Sequence, residues 1–154
     1  NRVVVSRDKG PSIYFSIKKE FVDEMLLIEL KDNLSETISS IQNSHPVYIV
    51  LPTPEMRRNV PKTLSLNILL DKNTNDLSID YKSYLDRNAE VRKLMDEVGV
   101  INRVNVLDPV PYLCDENRCI AQKDGRPIYY DGDHMSEFGN KLLSPMFQAA
   151  LVEK

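Results

Sequence analysis

Short β-branched runs alternate with long stretches of three- and four-residue apolar spacing along this chain. Val3-Val4-Val5 is continuous and apolar, as suits a strand buried on both faces. From about Ser16, Leu27, Leu30, Leu34, Ile38 and Ile41 recur every three or four residues, which predicts a long packed helix. Val47–Leu51 reads as a second buried strand, ended by Pro52-Thr53-Pro54. Pro61 suits a helix's first turn, and Leu64, Ile68 and Leu69 form that helix's apolar face. After the polar break 73–78, a third helix is predicted over Ile79–Val98. Tyr81, Tyr84, Leu85, Val91, Leu94, Met95 and Val98 form its stripe, and Gly99 is expected to stop it. Arg103–Leu107 is the third strand, closed by Asp108-Pro109. Alternating strand and helix at these lengths predicts a parallel sheet with right-handed crossovers, a three-layer α/β/α arrangement. The strands are expected at Val3–Val5, Val47–Leu51 and Val104–Leu107.

The pattern changes after Pro109. Lys123-Asp124-Gly125-Arg126 predicts a hairpin turn between 120–122 and 127–129. Ser136 is a competent N-cap for a last helix with Phe138, Leu142, Leu143, Met146 and Phe147 inward, kinked at Pro145. Cys114 and Cys119 are the chain's two cysteines. Zinc is a poor reading, because a structural site wants four ligands. A disulfide is preferred, with two separate buried thiols as the alternative, and a disulfide would require an oxidising compartment.

Composition narrows the partners. The chain has 154 residues, 42% hydrophobic and 28% charged, with a net charge of -3. That balance, with no basic run, argues against nucleic-acid binding. No apolar run approaches the roughly 20 residues of a membrane span, and no signal-peptide pattern is present. The chain opens on Asn1 and runs directly into an apolar strand, which suggests one piece of a larger protein.

Candidate chemistry concentrates at 129–140, YYDGDHMSEFGN. An Asp three residues before a His, in a turn ahead of a helix, can set an imidazole as general base. The carboxylate then fixes its tautomer. The plainer reading is an Asp-Gly turn with an exposed His and a helix cap. His45, just before Pro46, stands at the opening end of its strand and reads as structural or solvated. A metal site of Asp131, Asp133 and His134 is a weaker reading, since three ligands within four residues rarely converge on one ion without a distant fourth.

Together, Asp108-Pro109, Tyr112-Leu113-Cys114, Cys119, Gly125–Tyr129, Asp131–Ser136 and Gly139 resemble the end of an SGNH-type domain. The resemblance is to those fused behind membrane acyltransferases that O-acetylate bacterial surface polysaccharides. Leu51–Glu55 followed by Val60-Pro61 also resembles the loop after that family's penultimate strand. The resemblance implies a flavodoxin-like α/β fold with His134 as general base and Asp131 as its partner, and no catalytic role for Asp133. It implies no cofactor and a soluble domain on the periplasmic side of the bacterial inner membrane. Its partners would be a glycan acceptor and an acyl donor reached through the attached membrane domain.

The family's nucleophile is a serine in a Gly-Asp-Ser block, and no serine here follows Gly-Asp. Residues 1–154 are therefore expected to be the C-terminal part of one such domain, strands three to five of a 2-1-3-4-5 order. Alone, the chain is expected to be inactive, with an exposed sheet edge prone to self-association. The alternative is a non-catalytic glycan- or partner-binding module.

Overall fold

A computed structural model of the chain describes residues 19–74 and 77–152. The expected strand Val3–Val5 and the expected helix start near Ser16 lie outside the described residues. The elements in order are α1 (Lys19–Gln42), β1 (Tyr48–Val50), α2 (Val60–Leu69), β2 (Ile79–Asp80) and α3 (Tyr81–Asn102). They continue with β3 (Asn105–Leu107), α4 (Val110–Leu113), β4 (Arg118–Cys119), β5 (Gln122–Lys123), β6 (Arg126–Pro127), α5 (Glu137–Leu142) and α6 (Ser144–Val152). No described helix is long and apolar enough to cross a membrane.

β1 and β3 pair in parallel, with Ile49 opposite Val106. Because side chains alternate along a strand, the pair feeds two cores. Ile49 and Val106 face α1 and α3, where Ile38, Leu94 and Val98 bury with Leu27, Leu34 and Met95 against them. Leu107 faces the other way, against a larger core built from Val60, Leu64, Tyr84, Leu113, Ile128, Tyr129, Leu143 and Met146. Tyr48 also points to that side, donating its hydroxyl proton to the Ala150 carbonyl at 2.5 Å. Helices thus cover both faces of the sheet pair.

Several sequence expectations shift here. Gly99 does not end α3. The helix runs to Asn102, and Arg103 caps it in the left-handed conformation at φ 56. Gly99 is instead where α3 meets β3, since a Cβ there would stand 2.4 Å from Val106 Cγ2. The same helix begins at Tyr81 because Ile79-Asp80 is taken up in an antiparallel pair with Arg118-Cys119, and the Asp80 side chain caps it by accepting from the Ser83 amide. In α1, Leu30 and Ile41 remain exposed while Ile38 buries. In α2, Val60 and Leu64 bury but Ile68 and Leu69 do not, Leu69 being 78% exposed.

The tail follows its pattern closely. Asp124 and Gly125 both take positive φ, 53° and 74°, as a two-residue hairpin between β5 and β6 requires. Cys114 and Cys119 form a disulfide. The last helix breaks at Leu143, two residues before Pro145, into α5 and α6.

Candidate active site

The site is a closed loop on the larger core. Tyr129 bridges Met135, and the Tyr130 amide donates to the His134 carbonyl at 2.7 Å. Inside this loop Asp131 is fully engaged. Its Oδ1 accepts from the amides of Asp133 at 3.0 Å and His134 at 2.8 Å, and its Oδ2 lies 2.8 Å from His134 Nδ1. The two amides, with help from the imidazole, hold the Asp131 carboxyl well below the usual carboxylate range. The bond to Asp131 raises His134 above an ordinary histidine. Burial, then the neighbouring Asp131 carboxylate, raise Asp133.

The His134 side chain is 76% exposed. With Nδ1 facing Asp131, Nε2 is the nitrogen left for an incoming group. The expected Asp131–His134 contact is therefore present. Asp133 also reaches the site, its Oδ1 standing 3.4 Å from the same His134 nitrogen.

The loop after β1 carries the turn. The amides of Met56 and Val60 donate to the carbonyls of Gly132 at 2.6 Å and Asp131 at 2.8 Å. Met56 and Val60 are themselves buried, so the support is fixed in the core. Gly132 serves close approach here, since a Cβ would stand 3.1 Å from the Met56 carbonyl oxygen and 3.4 Å from that of Arg58. Upstream, Tyr84 donates to the Pro52 carbonyl and accepts from Arg92, which also pairs with Asp108 at 2.7 Å. Glu55 pairs with Arg87 at 2.6 Å. The segments leaving the carboxyl ends of both strands are thus tied to α3.

Behind the turn, Ser136 caps α5. Its Oγ accepts from the Gly139 amide at 3.0 Å and donates to the Pro127 carbonyl at 2.9 Å. Its own amide donates to the Ile128 carbonyl at 2.9 Å. His45 lies before β1, exposed and 2.8 Å from Ser44 Oγ. It stands at the opposite end of that strand from the loop bearing Met56, as its position in the sequence implies.

Ligand atoms of Asp131, Asp133 and His134 can gather within 4.8 Å of one another. Asp131 Oδ1, however, is already occupied by two amides, which fits an orienting carboxylate better than a metal ligand. The support from Met56 and Val60 had no sequence signal, because it uses main-chain groups that every such residue possesses. The approach of Asp133 was legible only as proximity in the turn.

The model of the SGNH domain fused to AT3 domains matches residues 6–149. Among solved structures, the chain is similar to the periplasmic domain of a lipopolysaccharide acetyltransferase of Salmonella ser. Paratyphi A, with a TM-score of 0.62 at 20% identity. The match covers 90% of this chain and 54% of that one, so the chain spans about half the solved domain's length. At that identity the likeness concerns the fold. No curated protein matches the chain in sequence.

Proposed function

This chain belongs to the family of SGNH domains fused to AT3 domains, and from that premise we propose that it supplies the general base of an acyl-transfer site. His134 is the base and Asp131 its orienting partner. The chain is the later part of one SGNH-like domain on the periplasmic side of a bacterial inner membrane. The acyl group, taken as acetyl, goes to a hydroxyl of a cell-surface glycan. The observation that carries this reading is the 2.8 Å contact between His134 Nδ1 and an Asp131 carboxylate locked by two amides, beneath an exposed ring.

The nucleophile in this reading is a serine from a Gly-Asp-Ser segment outside this sequence. His134 Nε2 takes the serine proton as the oxygen attacks the donor's acyl carbonyl, and gives that proton to the donor fragment as it leaves, which restores the neutral ring. The acceptor hydroxyl then attacks the serine ester. His134 takes the acceptor's proton and returns one to the departing serine oxygen. Asp131 stabilises the imidazolium at each stage without itself taking the proton. The disulfide fits an oxidising compartment, which supports the periplasmic placement.

The test is acetylation of the acceptor glycan by the intact protein. His134→Ala should abolish transfer while the protein stays folded, since an exposed ring contributes little packing. Asp131→Asn should lower transfer by about 10²-fold or more through the wrong tautomer. Undiminished acetylation by stably expressed His134→Ala would reject the assignment.

A further inference from the structure

We propose that Asp133 is a positioning residue for His134, a second carboxylate that joins Asp131 in holding the imidazole proton on Nδ1. This rests on the acyl-transfer reading of the turn. Nδ1 has Asp131 Oδ2 at 2.8 Å and Asp133 Oδ1 at 3.4 Å. A neutral imidazole has one N–H and one bare lone pair. A lone pair at Nδ1 would confront two anionic oxygens, whereas an N–H there bonds to Asp131 Oδ2 and is attracted by the second carboxylate oxygen nearby. Both carboxylates thus favour the same tautomer, which leaves the lone pair on Nε2, where a base needs it. An imidazole in free solution prefers the other tautomer, so the turn must supply this bias itself.

The two carboxylates are not equivalent. Asp131 is pinned by two amides and holds its charge into acid. Asp133 is half-buried beside Asp131, and both circumstances favour its protonation. Asp133 is therefore the first of the pair to lose its charge as the pH falls, and it then ceases to stabilise the imidazolium. Among the described residues, other charges nearby do not replace it. Arg57 and Arg58 lie on the supporting loop, but Arg58 meets the turn through its carbonyl, and neither guanidinium contributes to the shift of His134. Glu137 on α5 is paired with Lys141 at 2.7 Å.

The test reads the ring directly by nitrogen and proton resonances of the chain's histidines across a pH series. The sequence has two, so His45 serves as the internal reference. Asp133→Asn should move the His134 midpoint down and leave His45 in place. Asp131→Ala should keep the neutral proton mainly on Nδ1, now held by Asp133. The double variant Asp131→Ala/Asp133→Ala should release it to Nε2. Asp133→Glu should return the midpoint toward that of the native protein, which a purely structural role would not do. If Asp133→Asn fails to fold, Asp133→Ser is read the same way.

An unchanged His134 midpoint without the Asp133 carboxylate, or complete loss of the Nδ1 tautomer in Asp131→Ala alone, would overturn the proposal. In the intact protein Asp133→Asn should shift the acid limb of kcat/KM to lower pH and reduce the plateau about 3- to 10-fold, within the scale of base catalysis. Retained transfer by His134→Ala would sink the acyl-transfer reading but not the titration result, so the two failures are distinguishable.

Discussion

Replacing Gly139 by alanine should unseat the helix that follows the His134 turn. A Cβ at Gly139 would stand 2.1 Å from the Ile128 carbonyl oxygen and 2.8 Å from Met135 Cε. The methionine tip can swing aside, but the carbonyl is backbone. A carbon–oxygen contact needs about 3.3 Å, so α5 must retreat by roughly 1.2 Å at this point. That retreat stretches two bonds from Ser136, to the carbonyls of Ile128 and Pro127, each 2.9 Å long. Losing them costs about 1 kcal/mol apiece, and the overpacking adds about 1–3 kcal/mol. Alanine's better helix propensity returns at most about 1 kcal/mol. The net expectation is a loss of about 2–4 kcal/mol.

With a urea slope near 2 kcal/mol per molar, that lowers the unfolding midpoint by roughly 1–2 M. Gly125→Ala is the control. Gly125 has φ 74° but open space around it, so alanine there meets only backbone strain of about 1 kcal/mol. If Gly139→Ala lies within about 0.5 kcal/mol of the native protein, or is no worse than Gly125→Ala, close approach to the Ile128 carbonyl does not require glycine at this position.

Three further outcomes are expected. Asp131 has a depressed folded-state affinity for protons, so its contribution to stability is complete above its unfolded pKa of about 3.9 and fades as pH falls through the folded value. The stability gap between native protein and Asp131→Asn, read by denaturant titration at several pH values, should therefore be widest near neutrality and close in acid. Tyr129 is fully buried, and its hydroxyl has no hydrogen-bond partner among the described residues. Tyr129→Phe should be neutral or stabilise by up to about 1 kcal/mol in thermal unfolding, whereas a loss above that would reveal an ordered water at the hydroxyl. Arg92→Met strips the partner from a partly buried Asp108 and should cost about 2 kcal/mol by chemical denaturation. Asp108→Asn added to it should recover part of the loss by removing the unpaired charge.

The sequence was most legible where the signal is local. The Asp124-Gly125 turn demands two positive φ values, and few residue pairs accept them. Ser136 announced a helix start, and Asp131 and His134 are close because they share one turn. Legibility failed where the deciding partner is distant. Gly99 looks like a helix stop, yet its missing side chain answers to Val106 across the layer. The periodicity of Ile68 and Leu69 defines a helix face but cannot tell whether anything covers it, and both are exposed. The pairing of Ile79-Asp80 with Arg118-Cys119 joins two-residue strands far apart in sequence, too short to carry an alternation.

The carbonyls of Asp131 and Gly132 are held by amides more than 70 residues earlier, those of Val60 and Met56. In hydrogen exchange those two amides should be slow although Met56 sits in a loop, because releasing them means lifting the His134 turn as well. Loop and turn then open as one cooperative unit, with a common opening free energy. A substitution anywhere between Pro52 and Val60 can therefore change how often the imidazole is correctly presented without altering any residue near it.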